Sequence, residues 1–356
     1  MSLADIPKPG VRETTNQKHY PPSFIDRIKR YVQHLPLHYG LTYLLLLILL
    51  ALAFHLIAWQ EGWLPAPQFS PVLLLFPTWI LIPLAFITYL DTIATEAFKR
   101  FSILLNISSE AREQLKYEFT VMPARNVIIN SLVWSGIFNI YWFEAFDGIA
   151  DIYQLGSMSI NILYFFGLFS FFIGGNIYYH TFRQLILVHR TVSKVDRFDL
   201  FHLEPVYAFS ILTSRTGICW IILSTLSVLF GPLDILTFQV FVTLSVQIAL
   251  ALAAFFLPLR VVYLRLTAEK FQQLTSLDLR IKETIARLHE SVDHKNYADI
   301  EKFSVALTGL ATESEILTKI PTLPWRPGLL TGFLSVVVLP LLLFLLQLAL
   351  AKWLGG

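Results

Sequence analysis

The sequence predicts an all-α integral membrane protein with seven transmembrane helices, a cytoplasmic N-terminus and a C-terminus on the outside. Three observations carry that expectation. Hydrophobic residues make up 55% of the chain and charged residues only 15%, against about 25% charged in soluble domains. The apolar residues fall in blocks long enough to cross a bilayer, which takes about 20 residues of helix. With those blocks placed as spans, every Lys and Arg except Lys352 lies on one side, and the positive-inside rule makes that side cytoplasmic.

Residues 1–37 read as a basic cytoplasmic tail. The first apolar run begins near Gly40, too far from Met1 for a cleaved secretory signal. Within the tail, Ser23 caps a short helix with Asp26 three residues on. Phe24, Ile28, Tyr31 and Leu35 share one face of that helix, with Arg27 and Arg30 off it. This is the pattern of an in-plane helix at the lipid headgroups or, alternatively, of a solvated basic tail.

Residues 38–258 carry six spans with cytoplasmic connections between spans two and three and between four and five. The first span, 41–59, is closed by the interfacial Trp59 and Trp63. In the second, 71–90, Pro77 and Pro83 are expected kinks. Beyond Asp91 the pattern becomes amphipathic through Phe98 and Phe101. Ser109 then caps a helix with Ala111, Leu115 and Phe119 on one face, which Pro123 ends. The third span covers 126–146. The fourth, 159–179, carries a small-residue stripe of Gly167, Ser170 and Gly174 suited to close helix contact, and its pattern runs on through Phe182, Ile186, His189 and Val192 into the cytoplasm. Pro205 breaks the return. A fifth span then runs to Phe230 with Arg215 near its inner end, and a tight turn at Gly231, Pro232, Leu233 and Asp234 leads into the sixth, 235–257.

Residues 259–328 are polar and helical. Leu274, Leu277, Ile281, Ile285, Leu288 and Val292 repeat at helical spacing, Asp293 to Asn296 punctuate, and Ile300, Phe303, Leu307, Leu310 and Leu317 repeat again. This is a cytoplasmic helical hairpin with one apolar face on each arm. Each face needs a partner: the other arm, the extension of span four, or another subunit. A proline-rich elbow with Trp325 and Arg326 leads back to the membrane and to the seventh span, 329–351 in the segment 329–356.

Chemistry-bearing patterns are few. His289 and His294 stand five residues apart, where a helix-borne zinc pair needs four, and Pro36 between His34 and His38 spoils that pair's helix. Cys219, the single cysteine, allows no disulfide or thiolate cluster. No nucleophile motif, phosphate loop or deep intramembrane lysine appears, so the sequence calls for no enzyme activity, no cofactor and no nucleic-acid partner. What remains in the spans is uncharged polarity. Gln239, Thr243 and Gln247 on the sixth span and Ser131, Ser135 and Asn139 on the third recur every four residues. Such stripes either bond between helices or line a pore or cavity. Outside, Glu144, Asp147 and Asp151 have helical spacing and either form an acidic mouth that concentrates cations or occupy positions from which topology excludes Lys and Arg.

In topology the chain resembles the ligand-gated ion-channel superfamily of insect odorant and gustatory receptors, with its seven helices, cytoplasmic N-terminus, outer C-terminus and cytoplasmic helices feeding the last span. That family carries in its last helix a Thr-Tyr pair, five apolar residues and a Gln-Phe pair. Here Gln347 follows the apolar run Leu341 to Leu346, the Thr-Tyr pair is absent, and Leu348 stands in place of Phe. The resemblance implies that Gln347 lines the pore and that subunits form a homo-oligomer through the cytoplasmic helices. The expectation is a non-enzymatic multi-pass protein of the plasma (inner) membrane, an oligomeric cation channel or small-molecule receptor-channel. A small-molecule or lipid transporter component and a membrane assembly scaffold are the alternatives.

Overall fold

The computed structural model describes residues 19–62, 64–153, 157–195, 198–230, 238–326, 328–338 and, beyond those, 342–343, 345–346 and 349. The side chains of 144–153, 157, 238–241, 243 and 297–298 lie outside that description. The described elements are helices: α1 (Phe24–Gln33), α2 (Tyr39–Glu61), α3 (Leu75–Phe101), α4 (Ser109–Thr120), α5 (Ala124–Tyr153), α6 (Ser157–Gly174), α7 (Asn176–Ser193), α8 (Glu204–Phe230), α9 (Phe238–Phe256), α10 (Arg260–Asp293), α11 (Tyr297–Lys319) and α12 (Leu329–Val337).

Among the described residues, five helical segments are long and apolar enough to cross a membrane: Tyr39–Glu61, Pro71–Leu104, Met158–Ser193, Glu204–Phe230 and Leu244–Asp293. They correspond to the first, second, fourth, fifth and sixth expected spans. The third, in α5, is a helix of 30 residues but is not one of the five, because Asn130, Ser131, Ser135 and Asn139 dilute its apolar content. Of the seventh, the structure describes the helical start, α12.

Helices α3 and α8 form the centre. Pro71–Leu74 is a tight 3-10 turn that leads into α3, and Pro83 sits inside α3, buried. Buried Ser210, Thr213, Ser214, Thr216, Gly217 and Ser224 keep α8 slim enough for neighbours on several sides. The hydroxyls of Ser210, Thr213, Thr216 and Ser224 turn back to carbonyls of their own helix, Thr216 Oγ1 donating to Leu212 O at 2.9 Å and Ser224 Oγ to Trp220 O at 2.9 Å. The stripe on α6 behaves as its composition predicts. Ser170 is fully buried, and a Cβ at Gly167 or Gly174 would collide with Phe138 or with the Trp79 carbonyl. At Gly174 and Gly175 the expected long helix divides into α6 and α7.

The local start and stop signals are mostly where the sequence puts them. Ser23 and Asp26 form a reciprocal capping box, Asp293 ends α10, and Lys295 turns the chain with φ 56°. The cap of α4 is Ser108 rather than Ser109: its side chain accepts from Ala111 N at 3.2 Å. On α4 the inward residues are Leu115 and Phe119.

The hairpin faces find their partner in each other. α10 and α11 pack side by side, with Leu277 and Leu317 buried and Leu274, Ile281, Ile285, Phe303, Leu307 and Leu310 half-buried between the arms, whereas Val292 at the tip is exposed. The extension of span four touches only the hairpin's base, where Arg265 donates to Val195 O at 2.5 Å and Ser193 O at 3.4 Å. Lys270 closes the base by donating to Thr318 O and Ile320 O, each at 2.7 Å.

Candidate functional site: a buried charge cluster beneath the N-terminal helix

Helix α1 packs on the bundle by a face offset from its apolar stripe. Ile25, Asp26, Lys29 and Val32 are the buried residues, while Tyr31 is 71% exposed and Leu35 is exposed too. The helix is docked into the bundle by charge as well as by apolar contact, and the reason lies in α3. Asp91, just past the second apolar run, is buried, and an unpaired carboxylate there would cost several kcal/mol. Lys29 supplies its counter-charge.

The cluster joins four elements. Lys29 Nζ is ion-paired with Asp91 Oδ2 from α3 and with Asp26 Oδ1 at 2.9 Å, and it donates to Thr120 O of α4 at 3.2 Å. His180 Nε2 from α7 lies 2.9 Å from Asp91 Oδ1. Since the carboxylate accepts, Nε2 carries the hydrogen. Asp26 Oδ2 accepts from Ser23 N at 3.0 Å, Ser23 Oγ at 2.6 Å and Met122 N at 3.0 Å. The chain before α1 is pinned as well: Ser23 N donates to Met122 O at 3.1 Å, and Pro22 pairs with Pro123 as an isolated bridge. Burial taken alone would push the Lys29 ammonium down, but the Asp91 and Asp26 carboxylates outweigh it and hold it above its ordinary value.

A second layer lies beside this one. Arg183, one turn along α7 from His180, donates to Glu118 O and to the Tyr20 hydroxyl, with its guanidinium 5.6 Å from the Tyr20 ring centroid. Tyr20 Oη donates to Val121 O and Tyr117 Oη to Tyr20 O, both at 2.8 Å. Burial pushes both phenols up, Tyr20 against the opposing field of Arg183. The helical face shared by Asn176, His180 and Arg183 is therefore an interior contact surface. Asn176 donates to Ser131 Oγ at 2.8 Å and accepts from Asn130 Nδ2 at 3.1 Å.

Of the predicted pore or cavity residues, Ser131, Ser135, Asn139 and Gln247 are described with their side chains. Ser131 takes part in that Asn176 contact. Asn139 donates to Ser135 O at 2.7 Å and accepts from Tyr164 Oη at 2.8 Å. Gln247 is fully buried beside Tyr178. Gln239 and Thr243 lie on α9 and Glu144, Asp147 and Asp151 on α5, with side chains outside the described residues, as is the whole of Gln347. Glu61 accepts from Ser159 N at 3.0 Å and from its hydroxyl, joining the ends of α2 and α6.

At the foot of the hairpin α9, α12 and the elbow meet in an aromatic stack. Phe255 of α9 lies between Phe333 of α12, centroids 4.1 Å apart at 6°, and Trp325 of the elbow, 5.4 Å at 14°. Gly217 of α8 makes room for Phe333, since a Cβ there would stand 2.5 Å from the ring.

Sequence reasoning missed the charge cluster because its members lie far apart in the chain. Its one signal was Asp91, an ionisable residue at the end of a span, which by default asks for a partner. The arrangement defines an all-helical membrane protein whose N-terminal helix is held by buried charge. Comparison with protein families, with characterised proteins and with solved structures gives no match.

Proposed function

We propose that the chain is a non-enzymatic, seven-span protein of the plasma (inner) membrane with its N-terminus and hairpin in the cytoplasm, and that it works as a homo-oligomeric receptor-channel for cations. The observation that supports this reading is the helical segment Leu244–Asp293, which is apolar enough to span at one end and forms the first arm of the hairpin at the other. Through the Phe255, Trp325 and Phe333 stack the returning chain meets the same foot. A rotation of the hairpin is thereby transmitted to α9 and α12 together, the two helices that flank it, which is what a gate worked from the cytoplasmic side requires.

A conduction path between subunits accords with the polar stripe of α5, whose Asn139 and Ser131 bond to α6 and α7. Reconstitution into liposomes tests the proposal. Cation flux together with an oligomeric mass supports it, and a monomer that passes no ion under any ligand refutes it.

A further inference from the structure

We infer that the outer face of α10 is the surface on which copies of this chain join, a parallel coiled-coil seam whose occupant is the same face of a second copy. The inference rests on the homo-oligomeric reading above and names the surface that such an assembly uses. The stripes that face each other across the hairpin are already taken, since Leu277 and Leu317 are buried where the two arms pack together. A second apolar stripe runs along the outer side of α10. Leu264, Ala268, Phe271 and Thr275 succeed one another at intervals of four, three and four residues, and Leu279 stands four further on. All five are exposed, Leu264 by 52%, Phe271 by 69% and Leu279 by 63%.

Spacing, charge and geometry choose the occupant. Alternating steps of three and four residues are the repeat by which helices wind about each other, side chains of one filling holes of the next. A lipid surface or an extended peptide needs no such repeat. Large Leu264, Phe271 and Leu279 alternate with small Ala268 and Thr275, so a knob of one copy finds room beside the small side chains of the other. The stripe carries no charge from Leu264 to Thr275. Arg265 donates to Ser193 O and Val195 O, and Lys270 to Thr318 O and Ile320 O. Glu269 is half-buried and stands about 100° round the helix from Ala268. The face that meets this stripe must be uncharged as well, a condition that its own copy satisfies. Registration comes from the bilayer. α10 follows directly on the apolar α9, with Pro258 and Leu259 buried at the junction, so copies in one membrane hold α10 parallel and at one height, and each seam position comes opposite itself.

This seam can be broken without breaking the chain. Phe271 is more exposed than buried in the single copy, so Phe271→Glu removes little from it. The cost falls on the assembled state, where carboxylates from neighbouring copies would meet in a desolvated seam. Ile281→Glu differs, because Ile281 is half-buried between the arms and a charge there strikes the hairpin itself.

The test uses the full chain with Cys219→Ala in phosphatidylcholine vesicles. Single cysteines are placed on the stripe (Leu264→Cys or Phe271→Cys) and at exposed positions on either side of it (Thr267→Cys or Ser276→Cys), and disulfide formation between copies is followed under mild oxidation. Stripe cysteines should give covalent dimers at least about ten-fold faster than flanking ones, because assembly holds them at high effective concentration. Phe271→Glu should lower the oligomeric mass in detergent, while the helical content by circular dichroism stays that of the unsubstituted chain. Equal trapping on and off the stripe overturns the inference, as does an oligomer whose mass Phe271→Glu leaves unchanged; either result leaves a homo-oligomer joined by another surface. An unsubstituted chain that is monomeric overturns the seam and the homo-oligomeric reading together. The trapping comparison decides the question even where Phe271→Glu fails to fold.

Discussion

Replacing Lys29 by Met keeps most of the side chain's volume and removes its charge from between two buried carboxylates. Lys29 is 6% exposed and Asp91 8%. At the 2.9 Å separation from Asp26, the Coulomb attraction is about 6 kcal/mol at an effective dielectric of about 20. Desolvation of the three charges offsets much of that in the intact cluster. Removing the lysine alone nevertheless strands the carboxylates, which costs about 3–5 kcal/mol. The opening equilibrium of α1 should rise by about two to four orders of magnitude. Arg27 and Arg30 make this measurable, because both are exposed on α1 but trypsin can cut there only when the helix opens, and its rate follows the open population. Adding Asp91→Asn to Lys29→Met should return most of the protection, since the amide still accepts from His180 and no longer needs a counter-charge. Cleavage of Lys29→Met within about three-fold of wild type, or a double variant as sensitive as the single one, would refute the view that charge pairing docks α1.

Gly217→Ala should destabilise the foot of the hairpin by about 1–3 kcal/mol, because its Cβ meets Phe333 at 2.5 Å and the Ala251 carbonyl at 3.0 Å; thermal unfolding should show Phe333→Ala relieving much of that loss rather than adding to it. Ile281→Glu or Leu307→Glu puts a carboxylate between the hairpin arms at a cost of several kcal/mol, so hydrogen exchange should accelerate in α10 and α11 and stay unchanged in α3 and α8. If the hairpin joins subunits, as proposed, either variant also lowers the oligomeric mass in detergent. Arg326→Ala should be nearly silent, within about 0.5 kcal/mol by the same unfolding measurement, although its guanidinium stands 2.5 Å from Glu204, because both side chains are well exposed.

Much of the architecture follows from residue order alone, because it rests on short-range physics. Apolar runs must be helices where lipid leaves backbone groups no other partner, so α2, α3 and α8 are legible as blocks of hydropathy. Caps and stops are equally local: Ser23 with Asp26, the punctuation after Asp293, and the small residues of α6 all appear where their chemistry places them. The hairpin's two apolar stripes specify two arms, and the structure adds only that the arms take each other as partners.

The face that α1 buries could not be read in this way. Hydrophobic periodicity chose Phe24, Ile28, Tyr31 and Leu35, yet Lys29 turns inward because Asp91, some sixty residues later, is buried and needs a cation. Which of two faces a short amphipathic helix hides is decided by its long-range partners, and one buried charge outweighs several half-buried apolar side chains. His180 and Arg183 are similar: their shared helical face is plain in the sequence, but its neighbours are not. Only tertiary packing brings Lys29, Asp91 and His180 within bonding distance, since the free energy of a desolvated ion pair depends on positions in space and leaves no periodic trace in the chain.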